Sequence, residues 1–195
     1  MTDRAAGIIL AAGQSTRFGA DKLAARWRGK LLLQHVLDAA TTARLSPLVV
    51  VVGPRRRAAP LDWHGAHVVV NRHPERGLSR SLQLGLRALS AKGEIARAVV
   101  LLGDQPLVSP AVIARLLAEP LHAAQPILVP RYADGQPGNP VVLERAAWPL
   151  ARALAGDRGM AQLFAARPDL VRYLGVPGDN PDIDTPADLA ALNRA

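Results

Sequence analysis

Cysteine is absent from this 195-residue chain, which removes disulfides, thiolate metal sites and a cysteine nucleophile from consideration. Aromatic residues make up only 4%, so stacking platforms for nucleic-acid bases are scarce. No apolar run is long enough to span a bilayer. The N-terminal apolar patch from Ile8 to Ala12 is too short for the core of a signal peptide and runs straight into polar residues. The five histidines show no metal-ligand spacing, and there is no Gly-x-Ser-x-Gly elbow of a serine hydrolase.

What remains is a composition of 49% hydrophobic and 21% charged residues, that of a globular protein able to bury a substantial core. The expectation is a cytoplasmic enzyme in a single domain, residues 1–195. Basic residues outnumber acidic ones 24 to 16, a formal charge of +8. An anionic small substrate accounts for that excess as well as a nucleic acid does. Arg55-Arg56-Arg57 is the only dense basic run, and a solvated loop explains it.

Apolar runs recur at α/β spacing: Gly7–Leu10, Leu48–Val52, His67–Val70, Ala98–Leu102 and Ile127–Val129. Continuous Val/Leu runs without alternation suit strands buried on both faces. Helical patterns fall between them. Leu31–Ala43 places Leu33, Val36, Leu37 and Ala40 on one face, and Leu78–Leu89 repeats leucine at helical spacing. Pro110 opens Ala111–Ala118. The segment Arg131–Pro140 reads as a loop, followed by a strand at Val141–Leu143. Helices at Arg145–Ala155 and Gly159–Ala166, a strand near Leu170–Val176 and a helix from Pro186 complete the pattern. The fold class is α/β: a three-layer α/β/α domain with a mostly parallel sheet.

Leu10 to Lys22 reads LAAGQSTRFGADK. A strand ends at Ala11-Ala12-Gly13, and nine mostly small or polar residues containing Arg17 and Lys22 follow. Small residues let a backbone approach a ligand, consecutive N–H groups in a tight turn bind anions, and the cations add charge for phosphate. Neither a Walker A loop nor a dinucleotide fingerprint fits, because Ala20-Asp21 follows Gly19 and no glycine stands two residues after Gly13. Val99–Leu102 ends in Gly103-Asp104-Gln105-Pro106, which puts a carboxylate past the end of a central strand, where open α/β sheets hold ligands. Asp104 is a candidate Mg²⁺ ligand. Ser109 is the better cap for the helix that follows. Near the C-terminus, Thr185-x-x-Asp188 with Pro186 reads as a capping box, so Asp188 is structural. The two aspartates of an extended Asp182-Ile183-Asp184 are expected to point to opposite faces, leaving Asp184 for the metal. In NRHPERGLSRSLQLGL, from Asn71 to Leu86, Ser79 and Ser81 lie at a helix start, as simple caps or facing a polar ligand.

Together, LAAGQSTRFGADK, Gly29-Lys30-x-Leu32-Leu33, NRHPERGLSRSLQLGL, LLGDQPLV, GQPGNPVVL, GDRGM and DIDTPADL resemble the MobA-like nucleotidyltransferase family, and within it the molybdenum cofactor cytidylyltransferases. The resemblance implies a Rossmann-like fold, CTP and Mg²⁺. It implies nucleotide contacts from Leu10, Ala11, Ala12, Gly13, Arg17, Lys22 and Gly103, with Ser81 near the base. Arg17, Lys22 and Asp104 would be catalytic, and Asp104 with Asp184 would hold the metal. Relatives using guanine tend to read Leu-Ala-Gly-Gly, whereas Ala12 suits cytosine. It further implies a nucleotide-binding half, about residues 1–110, and an acceptor half, about residues 111–195. The acceptor would be a molybdopterin-type phosphate, with transient contact to a molybdenum oxidoreductase or its chaperone. No nucleic acid or membrane partner is expected. Three positions depart from the family pattern: Leu31 in place of proline, Asn139 in place of histidine, and Met160-Ala161 after Gly159, where an arginine is usual. Other readings are a cytidylyltransferase for a methylerythritol or sugar phosphate, a non-catalytic nucleotide-binding accessory protein, and, on charge alone, an RNA-binding domain.

Overall fold

A computed structural model describes residues 5–54, 60–156 and 159–194. The basic run Arg55-Arg56-Arg57, together with Asp157 and Arg158 of the GDRGM stretch, lies outside the described residues.

The element order is β1 (Ala5–Ala11), β2 (Arg26–Trp27), β3 (Lys30–Leu31), α1 (Leu32–Thr42), β4 (Leu48–Val52), β5 (His67–Val70), α2 (Leu78–Ser90), β6 (Arg97–Leu102), α3 (Pro110–Ala118), β7 (Ile127–Arg131), β8 (Val141–Glu144), α4 (Trp148–Arg152), α5 (Gly159–Ala166), β9 (Val171–Gly175) and α6 (Pro186–Leu192). Seven strands form one sheet in the order β5-β4-β1-β6-β8-β7-β9. Only β8 runs against its neighbours β6 and β7; the other pairings are parallel.

Strand β4 is the sequence Leu-Val-Val-Val-Val and is buried along its whole length, because helices cover both faces of the sheet. On one face Ile8 and Leu10 of β1 pack with Leu82, Leu86 and Leu89 of α2, and with Trp148 and Leu163 of the C-terminal helices. On the other, Ile9 and Ala11 pack with Leu33, Val36 and Leu37 of α1 and with Val112, Ile113 and Leu116 of α3. The arrangement is the expected three-layer α/β/α architecture. Gly85 sets the approach of α2 to the sheet, since a Cβ there would lie 2.6 Å from Ile8 Cγ2.

Several boundaries differ from the sequence expectation. Leu31 belongs to β3 rather than to α1, and Arg131 extends β7. The β2–β3 hairpin was not expected; it turns through Arg28 and Gly29, both at positive φ (47° and 81°), a backbone suited to a two-residue hairpin loop. The expected helix from Arg145 to Ala155 is a single 3₁₀ turn, Arg145–Ala147, followed by α4, with Pro149 in its first turn. Ser109 does cap α3, its hydroxyl accepting from the Ala111 N–H at 3.2 Å behind Pro110. No helix among the described residues is long and apolar enough to cross a membrane.

Candidate functional site

The parallel register of β1 with β6 pairs Leu10 with Leu102, so the two chains leave the sheet at the same edge. Ala11-Ala12-Gly13 emerges from one strand and Gly103-Asp104 from the other. Gly103 ties them, its N–H donating to the Leu10 carbonyl at 2.9 Å. A Cβ on Gly103 would press on Ala11, Leu33 and the Leu10 carbonyl at 3.1 to 3.3 Å. Gly103 does not line the pocket described below. Its glycine is required by packing, which brings Asp104 close beside the β1 loop.

That pocket, of about 400 Å³, is walled by Leu10 to Arg17, Lys22, Leu78, Ser81, Asp104 and Asp184, with Pro74, Glu75 and Gly77 at its side. Every other nucleotide or metal candidate from the sequence is therefore brought together. Gly13 behaves differently from Gly103: a Cβ there would meet nothing within 4 Å, so no protein neighbour demands glycine. The bare backbone leaves a cradle into which an anion can come close. Ser15 stands at φ 55°, and its hydroxyl accepts from the Lys22 N–H at 3.3 Å, which closes the loop on itself. Asp21 accepts from the Leu23 N–H at 3.2 Å, so the residue that breaks the Walker pattern shapes the turn carrying Lys22.

Charges converge at one point. Lys22 Nζ lies 2.6 Å from Asp104 Oδ2 and 2.7 Å from Asp184 Oδ1, and Arg17 reaches Asp184 Oδ2 at 2.7 Å. The Lys22 side chain is only 10% exposed, whereas that of Arg17 is 73% exposed. Burial pulls the Lys22 ammonium toward a lower pKa, but Asp104 and Asp184 outweigh it and hold the group above its ordinary value. Lys22 is thus a permanent cation. Two carboxylates converging on a single cation form an all-oxygen donor set of the kind a hard divalent ion takes. Asp104 and Asp184 fit such an ion.

Asp184 and Asp188 separate as expected. Asp188 accepts from the Thr185 N–H at 2.8 Å and the Asp184 N–H at 3.0 Å, while Thr185 Oγ1 accepts from the Asp188 N–H at 3.2 Å. This reciprocal box starts α6 and leaves the Asp184 carboxylate free to face Lys22.

The expectation that Asp182 and Asp184 point to opposite faces is corrected. Residues two apart in extended chain share a side. The residue between them, Ile183, is the one turned inward: it is 1% exposed and packs with Trp27, Leu32 and Leu192. The Ile183 N–H also donates to the Asp104 carbonyl at 3.0 Å, pinning the segment to the end of β6. Asp182 is close enough to the other carboxylates to sense them. Burial, then the charges of Asp104 and Asp184, push its carboxyl above the ordinary value, while Gln105 Nε2 donates to it at 2.9 Å. Sequence reasoning set Asp182 aside by misapplying the two-residue strand period, and it passed over Gln105 beside Asp104.

Neither serine of the α2 entrance caps that helix, which begins behind Gly77 at φ 83° with no side-chain cap. Ser81 is 4% exposed, accepts from Asn71 Nδ2 at 3.0 Å and lines the pocket. The Ser79 N–H donates instead to the Gly156 carbonyl at 3.2 Å. A second, more apolar cavity of about 200 Å³ adjoins the first through Leu10 and Leu78. It contains the departures Asn139, Met160 and Ala161, with Phe164 and Leu82. The third departure, Leu31, is buried away from both cavities.

Comparison with known proteins agrees with this fold. Over 203 aligned residues the chain is 29% identical to the purine catabolism protein PucB of Bacillus subtilis, covering 97% of this chain and 96% of that one. It is 30% identical to a probable molybdenum cofactor guanylyltransferase of Thermococcus gammatolerans over 66% of this chain, a match spanning 63% of that relative. The crystal structure of Rv0371c from Mycobacterium tuberculosis superposes with a TM-score of 0.85 at 33% identity, covering 98% of this chain and 99% of that one. A second structure of Rv0371c is a complex with manganese, with a TM-score of 0.79 and 32% identity. The model of the MobA-like NTP transferase domain matches residues 7–171, a span that takes in the β1 loop, Lys22, Ser81 and Asp104. The chain belongs to the MobA-like NTP transferase family.

Proposed function

We infer that the protein transfers CMP from CTP to a phosphorylated acceptor, molybdopterin or its molybdenum-bearing form, and releases pyrophosphate. The observation that carries this reading is the convergence of Lys22, Arg17, Asp104 and Asp184 in one pocket that is also walled by the open backbone around Gly13.

In the reaction a phosphate oxygen of the acceptor forms a bond to the α-phosphorus of CTP. The bond from that phosphorus to the oxygen bridging the β-phosphate breaks, and its electron pair leaves with pyrophosphate. The nucleophile is ionised near neutral pH, so no general base is required. What the site must do is bring two anions together in line and neutralise the charge that builds on the leaving group. Lys22 and Arg17 are the cations within reach of that group. The loop from Gly13 to Thr16 offers backbone N–H groups to the phosphates. Ser81, held by Asn71, presents a hydroxyl on the side where the base would lie. Asp104 and Asp184 would hold a divalent metal ion, Mg²⁺ or Mn²⁺, which would supply further charge neutralisation at the phosphates.

Ala12 favours CTP over GTP, since its methyl lies in the pocket wall and leaves less room for a purine than glycine would. Relatives are named as guanylyltransferases, and base choice is therefore the first point to test. The neighbouring apolar cavity supports an acceptor with a substantial ring system beyond its phosphate, and its departures at Asn139, Met160 and Ala161 face that ligand.

The test is pyrophosphate release from each of the four nucleoside triphosphates, with and without molybdenum cofactor. Release with CTP that depends on the cofactor supports the reading. Cofactor-dependent release with GTP moves base choice away from Ala12. Release driven by a methylerythritol or sugar phosphate reassigns the acceptor, and nucleotide binding without release identifies an accessory protein.

A further inference from the structure

Lys22 occupies the point on which the two metal-ligand candidates converge. Its ammonium is 2.6 Å from Asp104 Oδ2 and 2.7 Å from Asp184 Oδ1. A monovalent cation and a divalent ion placed against the same two oxygens repel each other at close range, and with both groups mostly shielded from water the repulsion is weakly screened. The paired charges also balance without a metal: Asp104 and Asp184 are met by Lys22 and Arg17. Nothing in that balance favours adding two more positive charges while Lys22 stays.

We propose that Lys22 and the divalent metal ion compete for Asp104 and Asp184, so that the metal binds firmly only after nucleotide phosphates have drawn the Lys22 ammonium away. This rests on the nucleotidyl-transfer reading and adds an order to it.

The local structure allows the exchange at small cost. The Lys22 backbone is anchored, through its N–H on Ser15 Oγ and through the Asp21 turn beside it. Its charge sits at the end of a flexible four-carbon stem, which can swing without moving the loop. The pocket that would hold the phosphates is walled by the loop to which Lys22 is tethered, so the ammonium has a second anionic partner a rotation away once nucleotide arrives. Arg17 differs. It is largely exposed and pairs with Asp184 Oδ2, the oxygen that Lys22 does not use. Lys22 therefore acts as a built-in counter-ion that keeps the carboxylates paired until substrate is present. The consequence is positive coupling: nucleotide improves metal affinity, and metal improves nucleotide affinity by the same factor.

The test measures Mn²⁺ binding to nucleotide-free protein by the loss of the free-ion EPR signal. Removing the competing charge in Lys22→Gln, or in Lys22→Met, which keeps the packing of the stem, should tighten Mn²⁺ binding by about tenfold or more. Arg17→Gln removes an equal charge from the solvent side and should change it by less than about threefold. Adding Asp104→Asn to Lys22→Gln should return binding to the weak wild-type level, which places the ion on these carboxylates. The inference is overturned if the Lys22 variants bind Mn²⁺ no better than wild type, or if Arg17→Gln matches them. Melting curves on each variant establish that it is folded, and the two Lys22 substitutions back each other. None of these arms contains nucleotide or acceptor, so a wrong choice of CTP or molybdopterin leaves this result unaffected, while failure here leaves the pyrophosphate assay standing.

Discussion

Replacing Asp104 by alanine separates chemistry from stability, because the opposing terms can be followed in the structure. The substitution removes one of the two carboxylates on Lys22 Nζ, a contact of 2.6 Å between side chains 10% and 20% exposed. Stripping the sole partner from a buried ion costs about 3–5 kcal/mol. Lys22 is not left alone, however, since Asp184 remains at 2.7 Å. A second effect runs the other way. Asp182 is held above its ordinary pKa by burial, then by Asp104 and Asp184, and deleting Asp104 relieves part of that repulsion. The retained Asp184 contact, helped by that relief, holds the loss to about 1–2 kcal/mol, or about 2–8 °C in melting temperature for a chain of this size. Turnover has no such compensation. Loss of a principal electrostatic group at the reacting phosphates lowers the rate by about 10²–10³. The assay is pyrophosphate release at saturating nucleotide and acceptor, run beside a thermal melt, with the Asp182 carboxyl followed by NMR titration and expected to move down. A folded variant with near wild-type pyrophosphate release would remove Asp104 from the chemistry. A fall in melting temperature beyond about 10 °C would mean that the carboxylate serves the fold instead.

Three further outcomes follow from particular contacts. Asp184→Asn should weaken metal-dependent turnover with little change in melting temperature, whereas Asp188→Ala, which loses the box that starts α6, should lower the melting temperature and spare turnover; the reverse pattern on the same two assays would exchange their roles. Ala12→Gly should raise the use of GTP relative to CTP by about tenfold, read as the ratio of kcat/KM values, and an unchanged ratio would direct attention to Ser81. Asp38, far from the site, is bonded by Lys30 at 2.7 Å, His64 at 2.8 Å and Gln34 at 2.8 Å; these contacts overcome the opposing effect of burial and hold its carboxyl down to about 2. Because the folded pKa is depressed, its contribution is present above the unfolded value near 3.8 and is lost as pH falls toward 2. Discounted for its partial exposure, that contribution is about 1 kcal/mol, so denaturant midpoints of wild type and Asp38→Asn should differ at pH 7 and converge near pH 2.

The sequence by itself determined the elements whose physics is local. The short Val/Leu run at Leu48–Val52, bounded by Pro47 and Gly53-Pro54, reads as a strand covered on both faces, and the leucines at helical spacing in α2 read as a helix lying on one of them. The start of α6 was legible because a capping pattern acts within one turn. So was the outline of the site, since the β1 loop and the Gly103-Asp104 turn each carry their chemistry in contiguous residues. The tertiary structure alone decided how those pieces meet. Strand β8 runs antiparallel because of how the chain returns after β7, which no pattern within four residues encodes. The β2–β3 hairpin is two residues on each side, too short for any periodicity to register. Gly13 and Gly103 look alike in sequence, yet one borders open space and the other is pressed against Ala11 and Leu33. Above all, Lys22 and Asp184 stand 162 positions apart in the chain and 2.7 Å apart in space. Charge acts through distance, and distance between remote residues is set only once β1, β6 and the Ile183 anchor have been packed together.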